Sequence, residues 1–446
     1  MAHQWRNWAG DQRCSPKAIA RPGNRVELVE AIERAREAGE TVRVAASGHS
    51  FTDIACTDGH MLRLEALDRI LDVDRSTGHV RVEAGISLHR LSAELQRHGL
   101  ALENMGDIDV QTLAGAISTG THGTGSGLGN LSTQVAALEL ALADGSVIEV
   151  GEEDLETLRA ARVSLGALGV IVTATLRCTP AFTLSRLDHP APLAETLERL
   201  DEIDASNDHF EFYVFPYSDV ALLRETKRTD EPPHPRGALA EWFQEDLLEN
   251  RVMGLVSRAG RRFPSQIPRL NRTISRFFSS NRKTDQSYRV FSSTRKVKFT
   301  EMEYALPRAH GAEALRRVMA MIEERRIAVG FPIEFRLVAG DDSHLSPANG
   351  RATAYIAVHM FEGMEWEPYL RAVEEIMDSY DGRPHWGKRH FQTAAKLASR
   401  YPDWERFQAV RARLDPDGLF RNGYTDRVLG SVPVFEPGGD GSYRKF

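Results

Sequence analysis

The chain has 446 residues, 41% of them hydrophobic and 27% charged, with 56 Lys and Arg against 63 Asp and Glu for a formal charge of −7. This composition excludes global disorder and a dominant basic footprint for nucleic acid, and the length fits roughly two to three domains. The 3 cysteines, Cys14, Cys56 and Cys178, form no CxxC pair, and no stretch is apolar and long enough to span a bilayer, so free thiols in a reducing cytoplasm are the default expectation.

Asn24 caps a predicted helix with Leu28, Ile32 and Ala35 on one face, and Gly39 stops it. A strand over 41–46 runs into Ser47-Gly48-His49-Ser50, where glycine between small polar residues permits a tight turn and leaves amides free to face a ligand. Segments 70–74 and 79–84 alternate around Ser76-Thr77-Gly78 as a hairpin, and Ser87 caps a helix carrying Leu88, Leu91 and Leu95. Residues 112–130 interleave six glycines with Ser and Thr, a poor packed core and a good backbone cradle. Segments 135–143 and 147–150 flank Asp144-Gly145, a hairpin signal, and a small-residue turn at 164–169 leads into a strand over 170–176. Helices and strands do not alternate regularly, which predicts an α+β fold rather than a doubly wound one. In the second half, strands over 210–215, 295–299, 333–337 and 354–360 and helices over 311–326 and 367–380 predict an α+β cap on a mixed or antiparallel sheet. Residues 232–235 and 258–283 read as long loops or exposed helices.

The glycine-rich stretch completes no dinucleotide fingerprint: Gly123-x-Gly125 is followed by Leu128 and Gly125-x-Gly127 by Asn130, and no GxxxxGK[ST] occurs there. A pyrophosphate cradle and a set of tight turns both remain open. His49 at a strand end is either a cleft-facing imidazole or a surface histidine, but three backbone-exposing turns in one domain favour a long phosphate-bearing cofactor. Glu334 and Arg336, two apart on a strand, share a face, as a site or as a plain salt bridge; Lys388 is a site cation or a solvated lysine. His385 and His390 lack a ligand partner at sensible spacing, so no metal is expected. The basic cluster from Arg258 to Lys283 reads as a solvated face or as a contact for an anionic surface.

Several motifs carry a resemblance. Val42-Arg-Val-Ala-Ala-Ser-Gly-His-Ser-Phe51, Leu113-Ala-Gly-Ala-Ile-Ser-Thr-Gly-Thr-His-Gly-Thr-Gly125, Val163-Ser-Leu-Gly-Ala-Leu-Gly-Val170 and His385-Trp-Gly-Lys388 resemble, in order, segments of the vanillyl-alcohol-oxidase-type flavoproteins, in their sugar-1,4-lactone oxidase branch. The resemblance implies an FAD domain over 1–180, a cap over 181–410, and a segment over 411–446 that returns to the FAD domain, with a turn at 415–420 near the flavin edge. It implies FAD contacts at Ala46, Ser47, Gly48, His49, Ser50 and Phe51, at Gly115, Ser118, Thr119, Gly120, His122, Gly123 and Gly125, and at Gly169 and Val170. His49 matches the histidine through which many members attach the flavin covalently, and His122 is expected to brace the loop beneath it. Arg336 and Lys388 would polarise the reacting hydroxyl, with Glu334 orienting Arg336 and binding substrate; His359 is a substrate-side histidine or a satisfied sheet residue. The implied reaction is oxidation of an aldono-1,4-lactone such as L-gulono-1,4-lactone, with D-arabinono-1,4-lactone or an alditol as the alternative, and with O2 or a dye- or cytochrome-type acceptor. A glycine-rich protein that holds a nucleotide without turnover is the non-enzymatic alternative.

Overall fold

Two sheets of the N-terminal half are built from short strands whose apolar residues face one shared core. A computed structural model describes residues 4–234, 253–293, 295–433, 435–437 and 443–445. Strands Ala18–Ala20, His60–Leu62 and Val42–Val44 form a parallel sheet with His60–Leu62 in the middle. The helix Arg25–Glu37 buries Leu28, Ala31, Ile32 and Ala35 against them, and its Asn24 cap accepts from the Glu27 amide as the sequence predicts. The second sheet is antiparallel, ordered Val147–Val150, Val135–Ala141, Val170–Arg177, His79–Glu83, Ile70–Asp74. Both predicted hairpins lie in it, with Val147 opposite Ala141 and Ile70 opposite Val82.

The second half is one antiparallel sheet of eight strands, in the order Asn281–Gln286, Thr183–Pro192, Val220–Thr229, His209–Val214, Ile333–Val338, Thr353–Phe361, Phe299–Pro307, Arg383–Pro384. Helices Gly311–Glu324 and Glu367–Asp378 bury one face of it, through Leu315, Val318 and Ile322 and through Leu370, Val373 and Met377. The register sets the chemistry of the other face. Glu334 pairs with Tyr213, Arg336 with Glu211, and Glu301 with His359.

Four expectations are corrected. The strand predicted over 295–299 starts where it was expected to end, at Phe299, because Arg295 turns out of the sheet to meet Asp107. The stretch 258–283, read as long loops or exposed helices, does hold helix, in Met253–Arg262 and Ile267–Arg276, but its last residues depart from that reading and join the sheet edge in the strand Asn281–Gln286. The chain returns to the first core well before residue 411: Trp386, Leu397, Tyr401, Trp404 and Phe407 already pack with Leu113, Ile117 and Leu138. The turn at 415–420 lies along the free edge of the strand Val42–Val44, whose Val42 amide donates to Leu419 O at 2.8 Å and whose Arg43 donates to Phe420 O at 2.7 Å. Of the loop at 232–235, Pro235 lies outside the described residues. Among the described residues no helix is long and apolar enough to cross a membrane.

Candidate active site

Three adjoining cavities form a trench that runs through the first half and opens at its inner end between the two halves. The middle one is lined by Ala46, Ser47, Gly48, His49, Ser50, Gly115, Ser118, Thr119 and Gly169, all expected from sequence, together with Gln111, Leu165 and Gly166. It shares Ala46, Ser47 and Ala114 with an outer cavity at Arg63 and Arg90, and His49, Ser50, Gln111 and Thr119 with an inner cavity of about 330 Å³. Glycine is required at two points. Gly48 turns at φ +74°, and a Cβ on Gly115 would sit 2.9 Å from the Ala46 Cβ, closing the trench where strand end meets helix. A narrow, backbone-walled channel of this kind fits an extended dinucleotide such as FAD.

Some expected cofactor residues serve other ends. Gly125 donates its amide to Leu337 O at 2.7 Å, stitching the glycine loop to the cap, and Gly123 packs so tightly that a Cβ would lie 2.2 Å from Met105 O. Val170 is buried in the hydrophobic core, and Gly120 makes the turn at φ +72° that follows the helix Leu113–Ser118. Phe51 and His122 line the inner cavity.

His49 joins the middle and inner cavities. Its ring stacks on Trp8 with centroids 5.4 Å apart, and an N-terminal strap holds the turn through Trp8 N to Gly48 O at 2.7 Å and Asn7 Nδ2 to Ser50 O at 3.0 Å. Burial, helped by the Lys388 ammonium, pulls the His49 imidazole down to about 4, so it is neutral at pH 7 with a free lone pair.

The inner cavity holds two sets of paired charges. On one wall Arg336 is ion-paired with Glu334 and with Glu211 Oε2 at 2.9 Å, the latter a charge contact without hydrogen-bond alignment at Nε. Tyr213 donates within 3.2 Å of both carboxylates, and Arg295 Nη2 meets Asp107 Oδ2 at 2.8 Å. Burial would lower Arg336, but Glu211, Glu334 and Asp107 hold it well above its ordinary value. Glu334 is raised as well, which for a carboxyl disfavours the charge: burial, with Asp107 and Glu211, outweighs Arg336, marking it as the carboxyl of the cluster that most readily takes a proton.

Two strands away on the same face of the sheet, Lys388 Nζ is ion-paired with Glu301, and the Phe51 ring lies 5.3 Å from the ammonium. Burial opposes the Lys388 charge, yet Glu301 and Glu303 raise its pKa. The His385-Trp386-Gly387-Lys388 turn is locked in place: the Gly387 amide donates to His385 Nδ1 at 3.1 Å, and Gly387 O accepts from Phe51 N at 2.7 Å. His359 does not line the cavity. It stands behind Glu301, with Nε2 3.5 Å from Oε1 and Nδ1 donating to Pro332 O at 3.1 Å.

Sequence reasoning paired His385 with His390, but His390 bonds Tyr424 at 2.9 Å, and His385 instead approaches His122 and Glu303, with ligand atoms within 4.8 Å of one another. In that cluster His122 Nδ1 donates to Gly123 O at 2.9 Å, its Nε2 meets Glu303 at 3.1 Å, and its ring stacks on Tyr355. The residues missed are Asp107, Glu211, Arg295, Glu301 and Glu303. Glu301 and Glu303 had a signal, two acids at i, i+2 in an apolar strand; Arg295, Asp107 and Glu211 had none.

This arrangement and the sequence matches agree on a class. Residues 16–151 match the family model described as an FAD binding domain, and a solved structure of a solvent-stable cholesterol oxidase superposes with a TM-score of 0.82 at 18% identity, covering 96% of this chain and 98% of that one. The protein is therefore an FAD-dependent oxidoreductase with the vanillyl-alcohol-oxidase-type fold. Residues 174–428 match the model for D-arabinono-1,4-lactone oxidase. Identity is 54% over 430 residues to an L-gulono-1,4-lactone dehydrogenase of Mycobacterium tuberculosis, covering 96% of this chain and 100% of that protein, and 36% to an L-gulonolactone oxidase of Mus musculus, covering 96% and 98%. The chain belongs to the D-arabinono-1,4-lactone oxidase family of sugar-lactone flavoenzymes.

Proposed function

We propose that the protein oxidises the C2 carbinol of an aldono-1,4-lactone, with L-gulono-1,4-lactone as the preferred substrate, to a 2-keto-lactone that tautomerises to ascorbate. The observation that carries this reading is the pairing of charge in the inner cavity: Arg295, Arg336 and Lys388 each already face a carboxylate. A carboxylate substrate needs an unpaired cation. An uncharged polyhydroxylated lactone needs donors and acceptors in alternation, which these pairs supply.

FAD, when bound, supplies the two-electron acceptor for the hydride that leaves the carbinol carbon. The protein's task is the hydroxyl proton and the charge left on oxygen. Arg336 and Lys388, each beside its carboxylate on the same sheet face, polarise the hydroxyl, and Glu334, the carboxyl held high, receives its proton at Oε. His359 acts through Glu301 as a positioning residue that keeps Lys388 aimed into the cavity. Ala46 to Phe51, Gly115, Ser118, Thr119 and Gly169 hold the cofactor, and His49, neutral and stacked on Trp8, is the covalent attachment point. Electrons leave to O2 or to a one-electron acceptor such as a dye or cytochrome.

The test is anaerobic addition of L-gulono-1,4-lactone, D-arabinono-1,4-lactone and xylitol to the purified yellow protein, with flavin bleaching as the readout. Fast bleaching by L-gulono-1,4-lactone, and slower by the others, is expected; bleaching by xylitol alone overturns the lactone assignment. Retention of yellow colour in the acid precipitate tests the His49 bond.

A further inference from the structure

Residues 253–283 contain eight Arg and Lys and no Asp or Glu, in a chain whose formal charge is −7. Their two helices, Met253–Arg262 and Ile267–Arg276, are inserted between cap strands Val220–Thr229 and Asn281–Gln286. The second helix faces inward with Ile267, Asn271 and Ser275, and Asn271 Nδ2 donates to Pro216 O at 3.0 Å and Val329 O at 2.9 Å. The outward residues repeat one spacing. Leu255, Arg258 and Arg262 lie at i, i+3, i+7 on the first helix, and Arg269, Arg272 and Arg276 at the same spacing on the second, all exposed.

Two features separate this face from an ordinary solvated one. Among the described residues, none of Arg258, Arg262, Arg269, Arg272 and Arg276 has a carboxylate partner; Arg272 donates to Tyr217 O at 3.2 Å, and Arg262 lies over the Phe263 ring. Where acidic residues would usually intervene stand large apolar ones: Leu255 is 60%, Phe263 57% and Phe277 80% exposed, three of the seven exposed large hydrophobics among the described residues. Guanidinium groups without counterions call for an anionic partner, and the exposed rings call for an apolar phase; a bilayer interface carrying anionic headgroups offers both. A nucleic-acid duplex offers the phosphates but no apolar phase for the rings.

We propose that this two-helix insert docks the protein onto an anionic lipid bilayer, with the arginines at headgroup level and Leu255, Phe263 and Phe277 at the acyl boundary. The insert braces the loops around Val329 and Glu362, through Asn271 and through Arg261 Nη1 to Glu362 O at 3.1 Å. Those loops carry Phe331 and Phe361, and the Phe331 ring lies 5.6 Å from that of Phe299 in the inner cavity. The inward side of the insert therefore packs beside the aromatic end of the substrate site, with the arginines on its outer side. The proposal is independent of which sugar lactone is oxidised.

The FAD-loaded enzyme is sedimented with vesicles of phosphatidylcholine alone and of phosphatidylcholine mixed with phosphatidylglycerol. Binding to the anionic vesicles only, released by high salt, is expected. Arg258→Glu/Arg269→Glu/Arg276→Glu weakens it by about a hundredfold, near one decade or less per charge, and Phe263→Ser/Phe277→Ser by about tenfold, with turnover in solution retained by both variants. Absence of binding to either vesicle, equal binding to both, or undiminished binding by the triple variant overturns the proposal. So does tighter binding to duplex DNA than to anionic vesicles with no effect of the phenylalanine changes, which assigns the surface to nucleic acid.

Discussion

Replacing Lys388 by methionine removes one half of the ion pair with Glu301 while keeping most of the side-chain volume. Glu301 is left with its side chain 7% exposed and with His359 Nε2, at 3.5 Å, as its remaining partner. Breaking a buried pair from one side costs about 3–5 kcal/mol; Lys388 faces the cavity with its side chain 22% exposed, so solvent screening reduces this to about 2 kcal/mol. Adding Glu301→Gln removes the orphaned charge and restores most of that stability. The rate does not recover, because the cation beside the developing alkoxide is still missing, a loss of about 10²–10³-fold. The pair also sets a pH window. Burial alone would raise Glu301, but Lys388 and His359 hold it below 4.5, while Glu301 and Glu303 hold Lys388 above 10.5. Its contribution is therefore complete between 4.5 and 10.5, lost as pH falls through the folded value of Glu301 and as pH rises through that of Lys388. Stopped-flow flavin reduction and thermal unfolding of the two single variants and the double variant measure these terms separately. A Lys388→Met enzyme that loses FAD in proportion to its loss of rate, or a double variant that regains the rate, refutes the catalytic role.

Glu334→Gln keeps the hydrogen bonds of the wall but cannot take a proton, and flavin reduction is expected to slow by about 10²-fold with FAD content unchanged; an unchanged rate shows that the proton goes elsewhere. Gly115→Val drives a side chain into Ala46, whose Cβ would lie 2.9 Å from the new Cβ, so the purified variant should be colourless and bind added FAD at least about tenfold more weakly; a fully yellow variant removes Gly115 from the cradle. His49→Ala should retain FAD that acid precipitation then releases, and an acid-stable yellow pellet from it places the bond at another residue. Burial first, then Lys388, pulls His49 to about 4, and burial pulls His385 to about 3, against 6.5 for the unfolded imidazole. The unfolded chain therefore binds more protons below 6.5, and stability should fall as pH drops from 6.5 toward 4; His385→Asn should flatten this slope in urea titrations, and an unaltered slope contradicts the burial argument.

Much of the frame was legible in local pattern. The Asn24 cap, the turn at Ser47 to Ser50, both hairpins of the first half and the shared face of Glu334 and Arg336 follow from i, i+2 and i, i+3 relations that short stretches of chain determine by themselves. The glycine loop was legible as a cradle, but not the division of labour within it, in which Gly115 makes room beside the trench while Gly123 and Gly125 fasten the loop to its neighbours.

The sequence alone pointed to a backbone-lined cradle in the first half and, through the family resemblance, to Glu334, Arg336 and Lys388 as site charges. Only the tertiary structure decided their partners. Arg336 meets Glu211 because strands 125 residues apart in the chain pair in one register, Arg295 leaves the sheet to reach Asp107 in the other half, and His359 falls behind Glu301 rather than into the cavity. Local periodicity fixes the face on which a side chain emerges. Which charge opposes it depends on the register of strands distant in sequence, and a one-residue shift of the strand Ile333–Val338 would carry Glu334 and Arg336 to the opposite face.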